Sequence, residues 1–305
     1  MELNFLDLES YHYFFIAAVV VLGCLYLYDA IYEVNCQPPR NLEFTSYNYS
    51  EGNGPSFWNK IFSKANGNLQ SPINILETRV EVISSDEACP LIFSEEFHIV
   101  PAEMKLYNNS HNVVLYASWP NCTYPTIVGG PLEEEYRFVN LRLRWGSNDF
   151  EGSEHMINSV KFAMELQAAF VKKSSCQEDI LTAATNKSLV MLSYFFMVTP
   201  IDNPYFEPMI TALRYLKRPM SYICIEPITL SLLTPDFTRD YYTYMGSLTF
   251  PPCTEGVRWI IKPEPLMISS RQVKQFRKLY GCEKRIDTNT RPVQSTNDRE
   301  VIYYS

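Results

Sequence analysis

The chain has 305 residues, 46% of them hydrophobic and 20% charged, so it can bury a sizeable core and is not a disordered chain. With 26 basic against 34 acidic side chains its formal net charge is −8, a poor footing for a nucleic-acid partner. Twenty prolines, 21 tyrosines and 18 phenylalanines suit a sheet-rich fold with many turns better than a helical bundle.

Residues 1–9 read as a short N-terminal tail and 10–33 as a transmembrane or signal-anchor segment. Between Ser10 and Tyr28 there is no Asp, Glu, Lys or Arg, and a helix there would be roughly 28 Å long, close to a bilayer's hydrocarbon core. Tyr11, Tyr13, Tyr26, Tyr28 and Tyr32 gather at its two ends, where amphipathic rings prefer to sit. A cleaved signal peptide fits less well, because Glu2, Asp7 and Glu9 precede the apolar run without any Lys or Arg. Four Asn-x-Ser/Thr triplets follow, at Asn48, Asn108, Asn121 and Asn186, as candidate N-glycosylation sites. The expectation is a single-pass membrane protein with its C-terminal domain lumenal or extracellular. The mitochondrial inner membrane stays open as an alternative, in which the triplets would be accidental.

Cys24 lies inside the apolar segment, and seven cysteines follow it: Cys36, Cys89, Cys122, Cys176, Cys224, Cys253 and Cys282. Seven is odd, so at least one is free or pairs between chains. Cys36, just beyond the apolar segment, could join two copies into a homodimer. The pairing itself cannot be read from the spacing.

Residues 34–44, with Pro38 and Pro39, read as a linker, and 45–305 as one domain without repeats or low-complexity stretches. Short apolar and alternating runs at 98–104, 112–118, 136–145, 160–171 and 188–198 predict strands. A helix is expected from Asn203 as cap, with Pro204 at its first position, to about Leu216. A second opens with Ser269 and Gln272 as a capping box and stops before Gly281.

Two strands carry most of the information. Over Val139–Trp145 the alternation places Asn140, Arg142 and Arg144 on one face and Leu141, Leu143 and Trp145 on the other. Over Met164–Ala169 it groups Glu165, Gln167 and Ala169. Charges alternating with apolar residues on a strand ordinarily mark a solvated face.

A series of ordered motifs runs through the chain: Asn53-Gly54-Pro55 with Trp58; Gln70-Ser71-Pro72-Ile73-Asn74-Ile75; Gly129-Gly130-Pro131-Leu132; Trp145-Gly146-Ser147 leading to Gly152-Ser153-Glu154-His155; Tyr244-Met245-Gly246-Ser247-Leu248-Thr249-Phe250-Pro251-Pro252; and Arg291-Pro292-Val293-Gln294. In these the chain resembles the α-class carbonic anhydrases over roughly residues 44–302. The resemblance implies a mainly β (α+β) fold: a central, mostly antiparallel twisted sheet of about ten strands, with a few surface helices and a conical cavity on one face.

Enzymes of that family hold zinc with three neutral imidazoles, two on a His-x-His-Trp strand and one on the neighbouring strand, and the metal lowers the pKa of a bound water to about 7. The matching positions here are Arg142, Arg144 and Gln167. A guanidinium is always charged and has no lone pair to donate, and a Gln carbonyl is a poor zinc ligand. Only four histidines exist in the chain. His12 lies in the apolar segment, His98 on a distant strand, His111 at the position of the family's proton shuttle, and His155 at a structural position. The resemblance therefore implies no metal and no cofactor.

Other positions are retained. Thr249 matches the threonine that orients the zinc-bound hydroxide, and Glu154 the carboxylate that accepts its proton. Asn140 and Glu165 match groups that support the lost histidines. Ala169, Leu248 and Trp259 match the apolar cavity wall, and Phe250 replaces a small polar residue and should narrow the cavity. Ala65 replaces a cysteine of secreted members, so their disulfide to the position of Cys253 cannot form.

The reading is a carbonic anhydrase-related protein that does not hydrate carbon dioxide and acts through a protein partner by binding, recognition or scaffolding. Arg142 and Arg144 would stand in for the metal's charge, pairing with Glu165 and Glu154. The alternatives are a small-anion binder and a zinc-independent esterase using His111, Glu154, Thr249 and the arginines, although no Ser or Cys nucleophile beside a base is recognisable.

Overall fold

The computed structural model describes residues 19–23, 47–50, 52–84, 87, 89–175 and 179–305. The chain divides into two units, Met1–Pro39 and Arg40–Ser305. Within the first, residues 19–23 are helical, and the rest of the expected membrane segment lies outside the described residues. No helix among the described residues is long and apolar enough to cross a membrane. The single-pass placement expected from the sequence is corrected accordingly.

The second unit is built on a sheet. In chain order its strands are β1 (Asn74–Ile75), β2 (Glu81–Ile83), β3 (Leu91–Phe93), β4 (Glu103–Asn108), β5 (Val113–Ser118), β6 (Thr126–Gly129), β7 (Leu132–Trp145), β8 (Met156–Ile157), β9 (Met164–Lys172), β10 (Leu189–Thr199), β11 (Ser221–Ile225), β12 (Tyr241–Ser247), β13 (Glu255–Ser269) and β14 (Ile302–Tyr304). Twelve of them form one mixed sheet in the order β11-β4-β5-β7-β9-β10-β13-β12-β14-β2, with β3 and β6 attached beside β7. Two pairs in it are parallel, β10 with β13 and β14 with β2. The sheet exceeds the ten strands expected because the short β3 and β6 pair off the main path.

The alternation in β7 resolves as two faces. Leu141, Leu143 and Trp145 join the larger apolar core with Leu166, Tyr194 and Phe276. The opposite face carries a second core that contains Ala169, Trp259, Leu248, Phe250 and Trp58. Arg142 and Arg144 lie between these packed layers and not on a solvated face.

The helices are short. Ser270–Phe276 carries the expected capping box between Ser269 and Gln272. The helix expected from Asn203 begins later, at Glu207–Ala212. Asn203 Oδ1 accepts the backbone N–H of Tyr205 at 3.0 Å, closing a turn before the helix starts. Residues 98–104 likewise give only the first part of β4, since the chain around His98 forms a 3-10 turn, Glu95–His98.

Candidate functional site

Register sets the site. In the antiparallel pair of β7 and β9, Arg142 faces Gln167, Arg144 faces Glu165 and Asn140 faces Ala169. The loop Gly152–His155 is pressed against β9, with the N–H groups of Gly152 and Ser153 both donating to the Phe162 carbonyl. A Cβ on Gly152 would lie 1.7 Å from the Ala163 carbonyl oxygen, so only glycine permits this approach. That contact delivers Glu154 beside Gln167 and Arg144.

Arg144 is only 1% exposed, and Glu154, Glu165 and Gln167 are fully buried. Its Nε donates to Gln167 Oε1 at 3.1 Å and lies 3.2 Å from Glu154 Oε2. One terminal nitrogen donates to Tyr49 Oη at 2.9 Å and to the Asn289 carbonyl at 3.2 Å, and the other to Thr249 Oγ1 at 3.2 Å. Burial opposes the charge, but Glu154 and Tyr49 outweigh it and hold the guanidinium still more firmly protonated than usual. Burial also pushes the Tyr49 phenol up to about 12, although Arg144 pulls the other way.

The carboxylates are equally engaged. Gln167 Nε2 donates to Glu154 Oε2 at 2.7 Å and to Glu165 Oε1 at 2.9 Å. Glu154 Oε1 accepts the Arg291 backbone N–H at 2.9 Å. Glu165 accepts the backbone N–H groups of Glu154 and His155 and the Ser193 hydroxyl, and lies 2.9 Å from His155 Nδ1. Burial alone would raise its pKa, but His155, Gln167 and the backbone donor hold it down at about 2. The pairing anticipated for the arginines is thus half corrected: Arg144 meets Glu154, whereas Glu165 is taken by His155.

Arg142 is 3% exposed, and its guanidinium lies over the Phe250 ring, 4.6 Å from the centroid; that of Arg144 lies 5.6 Å from the same ring. Phe250 itself is buried, so its face receives two cations in a desolvated setting. Ala169, Leu248, Phe250 and Trp259 pack together in one core cluster. Trp259 Nε1 donates to the Ser247 carbonyl at 3.0 Å.

His111 is tied to this constellation at one remove: its carbonyl accepts from Asn289 Nδ2 at 3.3 Å. Its ring stacks on Tyr47, with centroids 4.0 Å apart, and lines a cleft of about 260 Å³ bounded by residues 47–50, 109–111 and 281–288. Tyr49, which accepts from Arg144, lines the same cleft. Arg142, Arg144, Gln167, Glu154 and Thr249 do not line that cleft.

The sequence reading missed Tyr49 and Asn289. Asn289 ties down the end of β7: its Oδ1 accepts the Trp145 N–H at 2.8 Å and its Nδ2 donates to the Leu143 carbonyl at 3.0 Å. Tyr49 and Asn289 meet Arg144 across 95 and 145 positions of chain, and no local pattern signals either contact.

One candidate glycosylation site is corrected. Asn108 is fully buried, and its amide donates to the carbonyls of Leu216, Arg218 and Tyr280, so it is closed to a glycan. Asn121 and Asn186 are exposed, and Asn48 is half-buried with its amide on Glu283 Oε2 at 2.9 Å. Cys253 is buried and free, Cys89 and Cys282 are exposed and free, and Cys224 is disulfide-bonded.

A zinc ion needs lone pairs. The side chains at the three positions that the resemblance matches to zinc ligands, Arg142, Arg144 and Gln167, are two guanidinium cations and an amide that donates to two carboxylates, and this set does not fit the metal. Among the described residues no three of His, Cys, Asp and Glu are grouped to hold a metal ion.

The eukaryotic-type carbonic anhydrase family matches residues 53–305. The carbonic anhydrases 7 of Mus musculus and of Homo sapiens are each 33% identical to this chain over 266 residues, which is 84% of the chain and 96% of either relative. With the twelve-stranded sheet, its motif order and this match, the chain belongs to the eukaryotic-type carbonic anhydrase family.

Proposed function

We propose that this family member is a binding, recognition or scaffolding domain that carries no catalytic zinc and does not hydrate carbon dioxide. The observation that carries the reading is the hydrogen-bonding of Arg144, whose guanidinium meets Glu154, Gln167, Thr249 and Tyr49 at 2.9–3.2 Å. In the family's chemistry the threonine and the carboxylate serve a metal-bound hydroxide. Here both serve a cation that cannot deprotonate and offers no lone pair. Phe250 adds a steric argument, since its ring fills space beside both arginines.

The small-anion and esterase readings gain less. Arg144 already spends its donors on protein acceptors, and His111 stacks on Tyr47 at the cleft, which Glu154 and Thr249 do not line. What remains for function is the domain surface and a protein partner.

The test is zinc content and carbon dioxide hydration on the full chain, after incubation with zinc and dialysis against a mild chelator. The expected content is below about 0.1 zinc per chain, with hydration no faster than buffer. Near one zinc per chain, or hydration above buffer, overturns the reading.

A further inference from the structure

Two neighbouring segments of this acidic chain carry a cluster of cations. Arg214, Lys217 and Arg218 follow the helix Glu207–Ala212, and Lys278, Lys284 and Arg285 follow the helix Ser270–Phe276. The fold stitches these two segments together. Tyr280 N donates to the Lys217 carbonyl at 3.0 Å, and the buried Asn108 amide donates to the carbonyls of Leu216, Arg218 and Tyr280 at 2.9–3.1 Å. Tyr280 and Arg285 are themselves bridged through the backbone.

All six cations are exposed, and none of them belongs to an ion pair among the described residues. Soluble surfaces ordinarily intersperse the two signs of charge. The acids nearest in sequence are Glu283, which accepts the Asn48 amide at 2.9 Å, and Asp287. Without these six cations the formal charge of −8 would be −14.

That contrast selects the partner. A nucleic acid or an anionic bilayer extends past the patch and meets the negative remainder. A short acidic segment, within a screening distance of about 8 Å, senses chiefly the cations. The cleft of about 260 Å³ borders the patch; Lys284 and Arg285 line it together with Glu283 and Asp287, so the cleft itself is mixed in charge and the cations that favour an acidic segment stand mainly around it. Tyr280, 48% exposed, offers a ring beside these charges, and the Tyr215 ring carries the Arg214 guanidinium 4.6 Å from its centroid.

We infer that this face docks an acidic polypeptide segment of a partner protein. The inference rests on the reading of the domain as a binding module and names the chemistry of its partner.

Fluorescence anisotropy of the full chain with a labelled peptide of ten glutamates tests it, with zinc content and hydration measured on the same preparation. Saturable binding is expected, weakened at least tenfold by K217E/R218E and by raising salt from about 0.1 to 0.5 M. K60E, an exposed lysine outside these segments, should leave binding unchanged, and circular dichroism checks that each variant folds. No binding by the unaltered chain, equal loss in K60E, or tighter binding of polyuridylate or phosphatidylserine vesicles overturns the inference. A zinc-free chain that ignores the peptide sinks the docking face and leaves the non-hydrating reading standing. A zinc-loaded, hydrating chain that binds the peptide does the reverse.

Discussion

A buried guanidinium survives where its N–H groups find acceptors and a carboxylate lies within reach, and Arg144 has both. Its partners come from five separate places in the chain: β9, the Gly152–His155 loop, the segment around Tyr49, the Thr249 turn and the Asn289 loop. Removing the side chain strands Glu154 in the interior with only Gln167 and the Arg291 N–H as donors. Arg144→Ala should therefore cost about 3–5 kcal/mol, read as a fall in melting temperature of roughly 10 °C. Arg144→Lys keeps the charge but loses the planar fork, and should fall between. An unchanged melting temperature in Arg144→Ala would mean that the pair contributes no net stability.

At the scale of the element, the ladder between β7 and β9 sets Arg142 against Gln167 and Arg144 against Glu165. The alternation that puts Arg142 and Arg144 on one face was legible, because Leu141, Leu143 and Trp145 had to share the other. Their burial was not legible, since the same pattern ordinarily describes a wet face. What buries them is the second core laid over that face by Trp58, Leu248, Phe250 and Trp259, from segments far away in sequence. If the strands keep their register, the triple change R142H/R144H/Q167H should restore saturable zinc binding near one ion per chain, measured by dialysis and metal analysis. Hydration should stay low until Phe250→Thr is added, because the ring occupies the space beside the ligand positions. A triple variant that folds and binds no zinc would show that the ladder has moved.

For the whole molecule, the order of the short motifs carried most of the fold, and several of them mark a glycine where backbone approaches backbone too closely for substitution, as at Gly54, Gly129, Gly146 and Gly152. What escaped the sequence was long-range: Tyr49 and Asn289 at Arg144, and the turn that delays the helix after Asn203. One consequence of the buried polar layer belongs to the molecule as a unit. Glu165 is wholly buried, and its pKa is held at about 2, below the 4.5 of a free glutamate, by His155, Gln167 and backbone N–H groups acting against burial. A carboxylate with a depressed folded pKa binds fewer protons in the native state than in the unfolded one. Its contribution is therefore complete above about pH 4.5 and is lost as the pH falls toward 2. Denaturant melts of the full chain between pH 6 and pH 2 should show stability falling through that window. Glu165→Gln should be less stable at pH 6, where the ionised carboxylate is lost, and should show a shallower decline. Parallel curves for the two proteins would remove Glu165 as the origin of the acid sensitivity and assign it to the exposed carboxylates.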